Sequence, residues 1–169
     1  MKYLIGLVSL LTFMNCASTQ NTSNISSNNK SGSSSYDNFD YDVTCDVTGK
    51  DGTQLMVVST IASNEDQALK AARWQGVHAI IYKGLNSGAC VVPPLVDMET
   101  YQANKLYFDT FFSTGGFTQF VVSASDYPVD LFYVNKKSVK VFSNVTVNRD
   151  ALRQQLIKDQ ILKSLGDIF

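Results

Sequence analysis

The chain has 169 residues and a formal net charge of −1 from 14 basic and 15 acidic side chains. That balance supplies no electrostatic footprint for nucleic acid and no basic patch for anionic lipid. The single histidine, His78, rules out any site needing two or three imidazoles, and with it most zinc and transition-metal chemistry; no cofactor and no metal are expected.

The chain opens on Lys2 and the apolar run Tyr3-Leu-Ile-Gly-Leu-Val-Ser-Leu-Leu-Thr-Phe-Met14, then Asn15-Cys16 and small residues. A short basic start and an apolar run too short to span a bilayer describe a signal peptide, here residues 1–15, so the protein is expected to be exported. Cys16 directly after the run resembles the lipobox of bacterial lipoproteins, although Met14 and Asn15 stand where that motif prefers small residues. The reading adopted is lipidation at Cys16; the alternative is ordinary cleavage a little later, for example after Ser18. Residues 16–35 are rich in Ser and Asn and almost free of apolar side chains. Such a segment cannot bury enough surface to offset its ordering entropy. It reads as a flexible tether with a mean span of roughly 25 Å.

Residues 36–169 have the length of one ordinary domain. Tyr41, Val43, Cys45 and Val47 alternate with polar residues, which predicts a strand covered on one face. Gly49-Lys-Asp-Gly52 predicts a hairpin turn into a second strand, Thr53 to Ile61, apolar on both faces at its centre and therefore interior in the sheet. Ser63 and Asn64 followed by Glu65 and Asp66 mark a helix start. Beyond Trp74 the pattern divides: Gly76 ends the helix and Ala79-Ile-Ile-Tyr82 forms a strand, or the helix continues to a Gly84 cap. The β-branched pair favours the strand. Gly84 to Pro94 is a loop whose glycine spacing matches no phosphate-binding fingerprint.

A second helix is expected from Asp97 or Met98 to Phe112, with Leu106, Tyr107, Phe108, Phe111 and Phe112 crowding one side. These aromatics read first as core; exposed, Tyr101, Tyr107, Phe108 and Phe111 would form a platform for a glycan or lipid. Gly115-Gly116 stops the helix, Phe117 to Ser123 reads as a strand, and a hairpin pairs Val129–Val134 with Val139–Val147. Asn148 caps a last helix, with Leu152, Leu156, Ile157, Ile161, Leu162 and Leu165 at three- and four-residue steps and Gly166 past its end. Strands in runs between helices predict an α+β fold: a mostly antiparallel sheet with about three helices packed on one face.

Two cysteines remain after Cys16. In an exported domain Cys45 and Cys90 are expected to form a disulfide, closing a loop of about 45 residues for some 3–4 kcal/mol; two separate buried thiols are the alternative. A Cys90–His78 pair could in principle be a nucleophile and its base, and acid pairs such as Asp97 with Glu99 or Asp126 with Asp130 could serve glycoside chemistry, but each has a commoner structural use.

The segments Val77-His-Ala-Ile-Ile-Tyr-Lys-Gly84 and Val147-Asn-Arg-Asp-Ala-Leu-Arg153, with the aromatic helix running into Gly115-Gly116, resemble a group of small exported, lipoprotein-like proteins of Gram-negative gut bacteria that have no assigned activity. The resemblance implies export and a single domain, and carries over no functional residues. The expected function is therefore a non-enzymatic binding or assembly component, tethered to the membrane through its N-terminal lipid and meeting another envelope protein. The outer membrane is favoured over the inner, with the domain in the periplasm or at the cell surface. The alternative is a soluble periplasmic domain that binds a glycan or lipid.

Overall fold

Alternation and turn chemistry place the first hairpin where the sequence puts it. In the computed structural model, which describes Tyr36 and residues 40–164, β1 (Asp42–Thr48) and β2 (Thr53–Ala62) pair antiparallel around the Gly49–Gly52 turn. Tyr41, Val43 and Cys45 point inward and are buried. Val47 does not: a bulge between Cys45 and Val47 puts an extra residue in β1, so Val47 pairs with Leu55 on the outer face and is exposed. An inserted residue reverses the alternation beyond it.

β2 also pairs along its whole length with β5 (Ser138–Asn148), which makes β2 interior as expected. The far side of β5 is shared by two short strands, β3 (Val121–Ala124) along its end and β4 (Asp130–Asn135) along its start. The result is a five-stranded antiparallel sheet. One face carries Met56, Val58, Val141, Val145 and Val147, all buried. The other carries Val47 and Ile61 with more than half their surface in water. Helices cover the first face, giving the expected single-domain α+β architecture.

α1 (Glu65–His78) begins at Asn64, whose side chain accepts from the Gln67 amide, with Glu65 and Asp66 complementing the dipole. It lies across β2 and β5. At Gly76 a β-carbon would come within 2.9 Å of Val145 Cγ1, so the helix sits closer to the sheet than any side chain would allow. The segment beyond is not a strand. Ala79–Lys83 continues the helix as a π-helical turn to a Gly84 cap. Val77 to Ile81 are wholly buried, and an apolar run buried on all sides has no alternation to distinguish the two states. The carbonyls of Ile80 and Ile81 accept from the amides of Leu95 and Val96 as the chain returns.

The aromatic helix is two: α2 (Met98–Ala103), capped by Asp97, and α3 (Lys105–Ser113), divided at Asn104. Leu106 lies on the solvent side, 82 % exposed. Past Gly115, residues Gly116–Phe120 form a 3₁₀ turn, so the strand expected from Phe117 begins only at Val121. α4 (Arg149–Lys158) is capped by Asn148 as its sequence requires, but stops well before Gly166. Gln160 takes a left-handed conformation, its amide bonds to the Ile157 carbonyl, and that of Ile161 bonds to Leu156. This is a Schellman closure. Ile161 and Leu162 still pack on the core, as irregular chain; Leu165, Gly166 and Cys16 lie outside the described residues.

Candidate functional site

The four named aromatics separate. Tyr101 and Phe108 are buried, their rings 5.4 Å apart and both against Tyr82. They belong to the core and form no platform, because the face of α2 and α3 that carries them packs against Tyr82 of the π-helical turn. Tyr107 and Phe111, four residues apart on α3, turn toward α4 and stack nearly parallel at 6.0 Å and 14°. Phe111 is itself mostly buried and offers only a flank.

These two rings form one wall of a groove of about 490 Å³ between α3 and α4. The opposite lip comes from Gln155 and Asp159, again four residues apart, with Gln119 and Thr114 closing the end near Gly116. The Tyr107 hydroxyl donates to Asp159 Oδ2 at 2.7 Å, and Gln155 Nε2 donates to both carboxylate oxygens at 2.9 Å. Burial pushes the Tyr107 phenol well above its ordinary range, and the hydrogen bond and charge of Asp159 push in the same direction. The lining holds no His, Cys, Lys or Arg. An aromatic wall opposite amide and carboxylate groups is suited to holding a ligand with an apolar face and hydroxyl edges. Gln155 and Asp159 gave no signal in the sequence beyond their place on the last helix, and Gln119 fell in the segment read as a strand. The approach of α4 to α3 brings Gln155 and Asp159 to Tyr107, and the 3₁₀ turn after α3 brings Gln119 to the same groove.

Cys45 and Cys90 are joined, with α-carbons 5.4 Å apart and a separation of 45 residues. The bond staples the loop after Gly84 to the edge of β1. There Cys45 donates its amide to the Ser87 carbonyl and accepts from the Ala89 amide, both at 2.8 Å, while Ser87 Oγ donates to the Val43 carbonyl. Gly88 sits against this edge at φ +96°, where a β-carbon would lie 2.0 Å from the Cys45 carbonyl oxygen. With its sulfur in that bond, Cys90 has no thiol for His78 to activate.

His78 is fully buried, and its Nδ1 is hydrogen-bonded to the Tyr41 hydroxyl at 2.6 Å. Its ring also meets Trp74 at 5.7 Å and Tyr82 at 4.4 Å, residues four before and four after it. Burial holds the Tyr41 phenol far above its ordinary range. The acid pairs have structural employment as well. Asp97 caps α2 through the Thr100 amide, and those hydrogen bonds hold its carboxyl below the usual range. Asp126 pairs with Arg73, and Asp130 accepts from the Leu131 amide. Among the described residues no three His, Cys, Asp or Glu side chains are grouped to hold a metal ion, and no helix is long and apolar enough to cross a membrane. Compared with protein families, curated proteins and solved structures, the chain matches none.

Proposed function

We propose that this chain is an exported lipoprotein of the cell envelope that works by binding, without catalysis, with its folded domain held off the membrane by the 16–35 tether. The observation that carries the reading is the Cys45–Cys90 disulfide, because paired cysteines of this kind belong to oxidising compartments. The leader and the position of Cys16 supply the anchor, and the outer membrane is its proposed location. The intact mass of protein extracted from envelope membranes tests it. Diacylglycerol and acyl mass on Cys16, with Cys16→Ser moving the protein into the aqueous phase, are the expected results. Recovery from the cytosol with residues 1–15 still attached would overturn the proposal.

A second reading is favoured by the α3–α4 groove: a soluble periplasmic domain that takes a glycan or lipid there, against Tyr107 and Phe111. It predicts an aqueous protein whose tyrosine emission changes on titration with short glycans or lysolipid. Tyr107→Ala should abolish the response while leaving the fold intact. A chain that partitions into detergent and gives no such response favours the first reading over this one.

A further inference from the structure

The two edges of the sheet are treated differently. The β1 edge is covered by the loop at Ser87–Ala89 and locked there by the disulfide. The β4 edge is bare: among the described residues β4 pairs with β5 alone. Unpaired strand edges are usually blunted by prolines, bulges, lysines or a covering segment. In this molecule those devices stand at the two ends of β4. Pro128 precedes it, a bulge falls between Tyr133 and Asn135, and Lys136 and Lys137 form the turn that follows. Between them the backbone edge of Leu131, Phe132 and Tyr133 is left open; Leu131 packs on the core, while the Phe132 and Tyr133 side chains are exposed. Phe132 is 53 % exposed, Tyr133 82 % and Val134 51 %, with Tyr127 and Val129 exposed just before.

We propose that β4 is a self-association edge, pairing antiparallel with β4 of a second copy of this chain so that two five-stranded sheets become continuous. The segment Asp130-Leu-Phe-Tyr-Val-Asn-Lys-Lys137 is self-complementary in charge. An antiparallel pair centred on Tyr133 sets Asp130 of each copy opposite Lys136 of the other, with the exposed Lys137 alongside. A parallel pair in register sets Asp130 against Asp130 and the lysines against each other instead. Such an arrangement is isologous, closed by one two-fold axis, and leaves no open end for fibre growth. The same contact presents Phe132 of one copy to the apolar side chains of the other while the backbone groups of both edges are satisfied. One short strand per copy gives an interface at the small end of specific contacts, so association is weak and concentration-dependent.

The test uses the full chain in intact cells, carrying Tyr133→Cys and treated with a short bis-maleimide. A product of twice the chain mass is expected, absent from the unsubstituted chain and from a Leu106→Cys control at an equally exposed site on α3. Adding Asp130→Lys is expected to lower the yield about fivefold or more, since like charges then face at both ends of the pair. Adding Lys136→Glu and Lys137→Glu to that variant is expected to restore it. Formation of the Cys45–Cys90 bond in every variant reports that the domain is folded. No doubled product, a product of another mass, or a yield indifferent to the charge exchange overturns the proposal.

Discussion

Tyr41 and Tyr107 are held as neutral phenols by different surroundings, one by burial beside His78 and the other by burial together with the Asp159 carboxylate. A phenol whose folded pKa is raised contributes stability that is complete below its ordinary value of 10.0 and is lost as pH climbs above it. Alkaline titration followed by tyrosinate absorbance should therefore show two tyrosines that ionise only as the fold is lost, and Tyr41→Phe with Tyr107→Phe should remove that delayed phase. Gly88 gives a second prediction at this scale. Its positive φ and the absence of room beside the Cys45 carbonyl mean that Gly88→Ala should cost roughly 1–3 kcal/mol, seen as a lower Tm. The residue types at these positions were visible in the sequence, but their partners were not. Tyr101 and Tyr107 look alike there, and only the packing makes one core and the other the wall of a groove.

Helix ends were legible where a local side chain makes them. Asn64, Asp97 and Asn148 each accept from an amide three residues on, the arrangement their sequences announce. Asn148→Ala should lower stability by about 1 kcal/mol in denaturant melts, with little change in the slope. The far end of α4 was not legible, because a glutamine occupies the left-handed closing position that glycine usually fills. Gln160→Gly should therefore raise stability by up to about 1 kcal/mol, the relief of an unfavourable backbone conformation less the entropy of a freer unfolded chain. Ala79–Tyr82 departs from the strand expectation for a related reason. The β-branched pair favours a strand, whereas the four-residue spacing of Trp74, His78 and Tyr82, whose rings meet edge to face, is the helical signal. The bulge in β1 had no sequence mark either, since Asp46 and Val47 fit the alternation they break.

Across the whole molecule, the sheet is an unequal object: one edge stapled, the other open, one face covered by helices and the other wet. The staple is expected to contribute substantially. Cys90→Ala should destabilise the domain by about 3–4 kcal/mol and loosen the loop between Gly84 and Val92, as measured by hydrogen exchange at the amides bonded across it. The covered face accounts for the core, which joins β1, β2 and β5 to α1, the π-helical turn, α3 and α4 in one cluster. The sequence by itself determined the α+β class, the first hairpin, the interior place of β2, the cysteine pair and the helix starts. Each depends on alternation, capping or composition within a few residues. The tertiary structure alone decided that the apolar segment after Trp74 is helical, that Tyr107 is the one of the four aromatics outside the buried core, that Gln155 and Asp159 face Tyr107, and that β4 is left as an edge. Those outcomes depend on which surfaces meet across distant parts of the chain, and local periodicity does not encode them.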